Sequence, residues 1–398
     1  MATNCFRQET EKIKDWLIEL RREFHQHPEP SMEEFRTCRT IKETLSELGL
    51  EPEPNFPEPA VVATLTGAEE TGPTIALRAD MDALPITEKN EVPYASQQPG
   101  LMHACGHDAH LAMLLGAGMV LSKRRSELPG NVKLIFQPSE ETYPGGARML
   151  IEHGVLENPH VDAIFAHHVQ SHLEVGQVGV KPGNFMASTR EFTLTVKGKS
   201  GHAAHPQRGI DSIVITAQII MAFQTIASRL TSPTTPVVVS ACTIAGGVKP
   251  NVLAGEVTVA GTVRVLEEAV GQQVERQMEE IVRGLTQTYG AGYSLHFQPG
   301  YPAVQNDPAL AELVTAAAAK IVGKEQVIQL EQPSMGGEDF GWYQRYRPGV
   351  ITNLGCGNTA RGLTAPIHNE RFDIDEDCLV YGAAITAQVA WDYLRARP

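Results

Sequence analysis

The chain has 398 residues, 42% hydrophobic and 20% charged, the balance of a soluble globular protein long enough for roughly two to three domains. Its formal net charge of −14, with no basic cluster, argues against nucleic acid and anionic membrane surfaces as partners. Six cysteines (Cys5, Cys38, Cys105, Cys242, Cys356, Cys378) follow no framework spacing, which predicts reduced thiols and a cytoplasmic setting.

Residues 1–14 are polar and charged and predict no signal peptide, and no apolar run approaches the ~20 residues of a membrane span. Residues 11–26 carry helical spacing (Ile13, Trp16, Leu17, Leu20, Phe24), ended by Pro28 and Pro30. Ser31-Met-Glu-Glu reads as a capping box that opens a second helix through Leu48, closed by Gly49. After a proline-rich link (52–59), strands are predicted at 61–66 and 74–78. The second runs into Arg78-Ala-Asp-Met-Asp-Ala-Leu-Pro and sets Asp80 and Asp82 at its carboxyl end, where open α/β sheets bind ligands. Residues 111–120 are small and apolar, as in a buried helix. A buried strand at 131–136 ends in Gln137-Pro-Ser-Glu-Glu, a helix follows at 147–153, and a short strand at 163–166 ends in His167-His168. This alternation predicts a doubly wound mixed sheet.

The pattern changes near Gly183. Strands at 191–196, 237–244, 256–265 and 293–298 with helices at 211–229 and 267–289 make the order β-α-β-β-α-β, the ferredoxin-like split unit. A helix at 310–321, a glycine-rich acidic loop at 335–341, a strand at 350–354 and a helix at 377–395 complete the chain. The expectation is an α/β catalytic domain in two parts, 1–184 and 301–398, interrupted by an inserted ferredoxin-like α+β domain at 185–300.

The chemistry gathers in Leu101-Met-His-Ala-Cys-Gly-His-Asp-Ala-His, where potential ligands crowd the mouth of the buried helix. Unpaired polar burial is costly, and a metal ion is the simplest compensation. Cys-x-His spacing lets Cys105 and His107 reach one ion from a turn that Gly106 permits, with His103 and His110 as supporting or structural residues. Glu140-Glu141 follows a buried strand, so one acid can bind metal while the other faces substrate as a general base. His168 and His368 could complete the shell. His153, His160, His172 and His296 read as structural or surface residues.

These features resemble the dinuclear-metal family of aminoacylases and carboxypeptidases, and within it the N-acyl-amino-acid amidohydrolases, which include hippurate and auxin-conjugate hydrolases. The resemblance runs from Phe24-His-Gln-His-Pro-Glu to the terminal helix. It rests on an ordered set: the Asp80–Asp82 and Cys105–His110 motifs, Phe136-Gln-Pro-Ser-Glu-Glu, Gly198-Lys-Ser-Gly-His-Ala-Ala, Gly246-Gly-(x)3-Asn251, Gly261-Thr-Val-Arg264 and Gly337-Glu-Asp-Phe. It implies two divalent ions bound by Cys105, His107, Glu141, His168 and His368, with Glu140 as the base that activates a metal-bridging water. It implies that Asp82 orients a ligand histidine and that His202 stabilises the oxyanion, reaching the site from a partner subunit. Asn251 and Arg264 would hold the substrate's α-carboxylate, while His205 is a weaker candidate because Pro206-Gln207 replaces the usual proline-histidine pair. Asp80 stands where many members have a histidine and Cys105 where they have a bridging aspartate, both as in the amidohydrolase branch. Thiolate favours zinc; carboxylate and imidazole also suit manganese, cobalt or nickel.

The expected activity is metal-dependent hydrolysis of the amide bond of N-acyl amino acids or small peptides with a free carboxylate, by a homodimer joined through the inserted domain. The alternatives are a thiol hydrolase with Cys105 as nucleophile and His107 as base, and a non-catalytic metal- or peptide-binding module.

Overall fold

A computed structural model describes residues 5–396; residues 1–4 of the polar N-terminal stretch and the Cys5 side chain lie outside the description. The chain divides into two compact units. One runs through Phe185 and includes Gln305–Gln332 and the chain from Asp339; the other is Met186–Val304 with Pro333–Glu338.

The first unit is a mixed α/β fold on a seven-stranded sheet. Its strand order is Val61–Thr66, Asn131–Gln137, Thr74–Asp80, Ala163–Glu174, Gly349–Gly357, Val178–Val180, Val327–Gln329. The four strands from Asn131–Gln137 to Gly349–Gly357 are mutually parallel, whereas Val61–Thr66 and Val178–Val180 run antiparallel to the neighbours that join them to this set. Thr74–Asp80 and Asn131–Gln137 are buried along their whole length, which accounts for their near-continuous apolar sequences. Among the charged exceptions, Lys133 gives its ammonium to the carbonyls of Val155 (3.1 Å) and Glu157 (2.8 Å).

Register then determines what arrives together. Asp80 pairs with Gln137, and Arg78 pairs with Ala166. Asp80, the Pro138–Glu141 turn and His168 are therefore brought level at one end of the parallel strands. Behind them the helix His107–Ser122, apolar on every side, is buried against the helices Lys14–Gln26 and Asp377–Ala396.

Three expectations for this unit need correction. The helix expected at 11–26 begins only at Lys14 and runs to Gln26, and a separate, unexpected helix, Cys5–Glu11, precedes it. Between them the Thr10 hydroxyl bonds the carbonyls of Phe6 and Arg7, and the chain tightens to a bond from Ile13 N–H to Thr10 O. Ser31 is not a cap: the second helix is Phe35–Glu47, and the Ser31 hydroxyl donates to Asp82 Oδ2 at 2.6 Å. The strand expected to stop before His167-His168 continues to Glu174, because pairing with Gly349–Gly357 carries it on.

The second unit has a four-stranded antiparallel sheet in the order Gly292–Pro299, Ser188–Lys197, Glu256–Val265, Val237–Gly246. Burial alternates along Ser188–Lys197, as a strand with one covered face requires. Two helices, Ser212–Thr225 and Glu268–Tyr289, contribute Ile215, Ile219, Phe223, Val274 and Met278 to its core. The Asp211 carboxylate caps the first of them at Ile213 N–H and Val214 N–H. Contrary to the expectation that no apolar run nears membrane length, Ser212–Leu230 is long and apolar enough by length and composition to span one. Its buried side chains nevertheless form part of the core of this unit, and Ile213, Val214 and Met221 lie exposed on the same helix.

Candidate metal centre

Asp82, two residues past the end of its strand, is fully used. Its Oδ1 accepts Glu140 N–H at 3.0 Å, and its Oδ2 accepts Glu141 N–H at 3.0 Å together with the Ser31 hydroxyl. Its backbone carbonyl accepts a hydrogen bond from His107 Nδ1 at 2.8 Å. His107 thus donates from Nδ1, and its Nε2 is buried without a hydrogen-bond partner. His168 is set the same way: Nδ1 donates to Val169 O at 2.8 Å, and Nε2 lies 3.4 Å from Cys105 Sγ. Glu141 Oε1 lies 3.0 Å from His368 Nε2 without hydrogen-bond geometry. His368 N–H in turn donates to Ala104 O at 2.7 Å, tying its loop to the Cys105 turn.

The donor atoms fall into overlapping groups whose members lie within 4.8 Å of one another: Cys105, His107 and His168; Cys105, Glu141 and His368; His107, Glu140 and Glu141. The first two share the thiol. Soft sulfur, imidazole nitrogen and carboxylate oxygen form a donor set suited to divalent transition metals, and the orphaned His107 Nε2 is a position that such an ion would fill, displacing any proton there. His110 plays another part. Its Nε2 accepts Val169 N–H at 3.0 Å, so Nδ1 donates to Asp80 Oδ1 at 2.5 Å and neither nitrogen is left for an ion. His103 is buried with neither ring nitrogen hydrogen-bonded, and burial pushes it down to about 4.

Charge explains why cations belong here. Burial opposes the protonation of His107, but Asp80 and Asp82 outweigh it and hold the imidazole well above its ordinary value. Burial, then Glu141, Glu140 and Asp80, push the Cys105 thiol far up. His168 is driven down to about 3, first by burial and then by His110, so its imidazole is neutral at physiological pH. Asp80 is held low despite burial by His107, Arg78 and His110. Arg78 also binds Asp339 Oδ1 at 3.0 Å, and Asp339 takes Gln137 Nε2 and Ala147 N–H as well. Asp339 belongs to the Gly337-Glu-Asp-Phe motif, but nothing in its spacing marked it as the anchor of these strands.

In the second unit, His202 lies in the short strand Gly201–His202, paired with Val252–Leu253 so that Val252 stands opposite it. Asn251 adjoins this ribbon and its carbonyl accepts Ala203 N–H. His202 Nδ1 accepts Ala204 N–H at 3.1 Å, which leaves the Nε2 proton outward as a donor. Arg264 lies on Glu256–Val265 with Nε bonded to Thr262 Oγ1, and it has no ion-pair partner among the described residues.

Gly106 caps the buried helix in the left-handed region at φ 85, and a Cβ there would come within 2.3 Å of Val169 Cγ2. Gly106→Ala therefore displaces Cys105 and His107 from their common side, and metal affinity measured by titration calorimetry is expected to fall ~10-fold or more. An unchanged affinity would show that the turn does not set the ligands.

The model of peptidase family M20/M25/M40 matches residues 76–392. The chain is 40% identical over 376 residues to an N-acetylcysteine deacetylase of Bacillus subtilis, 94% of this chain and 96% of that one. A thermostable carboxypeptidase of Saccharolobus solfataricus is 37% identical over 386 residues, 96% and 97% of the two chains. A crystal structure from Bacillus subtilis, described as a dinuclear metal binding peptidase of the M20 family, matches with a TM-score of 0.86 at 36% identity, over 97% of this chain and 99% of that one. The chain belongs to peptidase family M20/M25/M40 and is a hydrolase.

Proposed function

We propose that the protein hydrolyses the amide bond of N-acyl amino acids or small peptides with a free carboxylate, with Glu140 as general base. The observation that carries this reading is the pair of ligand groups meeting at Cys105, with Glu140 on a turn that Asp82 holds beside them. Two divalent ions, held by Cys105, His107 and His168 and by Cys105, Glu141 and His368, would polarise the acyl carbonyl and acidify the attacking water. Zinc suits the thiolate; manganese, cobalt or nickel suit the remaining donors.

Glu140 accepts the proton of the attacking water and returns it to the leaving nitrogen. His202, with its proton on Nε2, donates to the developing oxyanion, and Arg264, lacking an acid partner, takes the substrate carboxylate beside Asn251. A deacetylase and a carboxypeptidase among the relatives are both named for amide cleavage. A catalytic Cys105 thiolate is disfavoured, because burial and then the surrounding carboxylates raise its thiol where a nucleophile needs cationic neighbours. A module that only binds has no use for Glu140 fixed in this way.

The second unit reads as a ferredoxin-like domain that pairs two copies of the chain. Its edge strand Val237–Gly246 has no neighbour on its outer side among the described residues, and Ile244 on that strand is exposed together with Met221 of the adjacent helix. An unpaired apolar edge is a template for a second copy. The cytoplasm fits as compartment, since the five described cysteine side chains are unpaired.

In the metal-loaded enzyme, Glu140→Gln is expected to keep its metal and lose ~10²–10⁴-fold in kcat on N-acyl amino acids; near-normal turnover removes Glu140 from this role. His202→Ala is expected to lose ~10²–10³-fold. Mixing it with Glu140→Ala restores part of the activity if His202 acts in the partner's site, and the absence of any recovery contradicts sharing.

A further inference from the structure

Glu34 precedes the helix Phe35–Glu47, at the N-cap position where a short polar side chain usually bonds the first turn. It makes no such bond. Its side chain is fully buried, and Oε1 instead accepts Ser139 N–H at 2.8 Å, a partner 105 positions along the chain. Its Oε2 is buried without a hydrogen-bond partner.

Ser139 is the first of three successive residues whose amides go to carboxyl groups. Its N–H goes to Glu34, and those of Glu140 and Glu141 go to the two oxygens of Asp82. Ser139 has φ 55, in the left-handed region that a non-glycine residue adopts only where its surroundings impose it. Its carbonyl accepts Gly146 N–H, and a Cβ on Gly146 would come within 1.9 Å of Pro138 O, so the turn is closed from that side too. The segment that delivers Glu34 is itself pinned to the same place. Ser31 donates to Asp82, and Ala83 N–H donates to Glu29 O at 2.9 Å.

We propose that Glu34 is a positioning residue for the reaction: through the Ser139 amide its carboxyl holds the turn that aims Glu140. The inference rests on the reading of Glu140 as the base. A buried acid so near Asp82 costs stability, and an apolar side chain would fill the space with less penalty. The Glu34 carboxyl is held by its own backbone and that of Met32 as well, but the Ser139 amide is the partner that belongs to the Glu140 turn. Burial, then Asp82, push the Glu34 carboxyl up to about 8, so it is largely uncharged at neutral pH and glutamine is its near-isostere.

The test compares Glu34→Met, Glu34→Asp and Glu34→Gln in the metal-reconstituted full-length enzyme, with kcat, KM and metal content measured on an N-acetyl amino acid. Glu34→Met removes the acceptor and is expected to lower kcat ~10–100-fold, with KM and metal content close to those of the parent. Glu34→Asp, which keeps the carboxyl on a shorter stem, loses less and remains informative if the Met variant does not fold. Glu34→Gln retains its acceptor and most of the turnover. Parental kcat in Glu34→Met, or in Glu34→Asp if Met does not fold, overturns the inference. So does a loss confined to KM or metal content, or a Gln variant no better than Met. If Glu140→Gln is inactive while Glu34→Met is not, the inference alone fails; if Glu140→Gln is active, the reading of the base fails first.

Discussion

One residue, Asp82, ties together three segments of the site that are separate in sequence. It takes the amides of Glu140 and Glu141 and the hydroxyl of Ser31, while its own carbonyl orients His107. Hydrogen bonds to a charged acceptor contribute about 1.5–3 kcal/mol each, and removing the acceptor leaves buried donors unsatisfied. The arrangement depends on strand register. Because Thr74–Asp80 and Asn131–Gln137 run parallel and in step, the loop after one strand meets the turn after the other.

The second constraint is charge. Asp80, Asp82, Glu140 and Glu141 surround a thiol and two imidazoles in a largely buried space. The fold answers part of this with Arg78, which is wholly buried and bonded to Asp80, and with the His110 proton on Asp80. What remains is the inward-facing set of lone pairs and acids at Cys105, His107, Glu141 and His168. The chemistry of that set, rather than any one residue, makes a pair of divalent cations the fitting complement and makes a free thiolate a poor one.

Much of this was legible in the sequence, for a physical reason. Buried parallel strands leave long apolar runs, and Asp80, Glu140 and Glu141 stand out at their ends as polar residues with nowhere else to go. The Cys105–Gly106–His107 turn was readable because glycine at a left-handed position has a specific use. Less legible were residues whose partners are remote. Ser31-Met-Glu-Glu has the local form of a helix cap, yet Ser31 and Glu34 turn to Asp82 and Ser139, a choice decided by tertiary packing. The length of Ala163–Glu174 was hidden because its extension comes from a neighbouring strand rather than from its own pattern. The strand that carries His202 was hidden because, at two residues, it is too short to leave any periodicity.

The most direct test of the account is the metal environment itself. X-ray absorption at the zinc edge of the zinc-loaded enzyme is expected to show a sulfur scatterer at about 2.3 Å that disappears in Cys105→Ala. A shell of nitrogen and oxygen alone in the parent protein, unchanged by that substitution, would contradict Cys105 as the shared ligand and with it the centre described above.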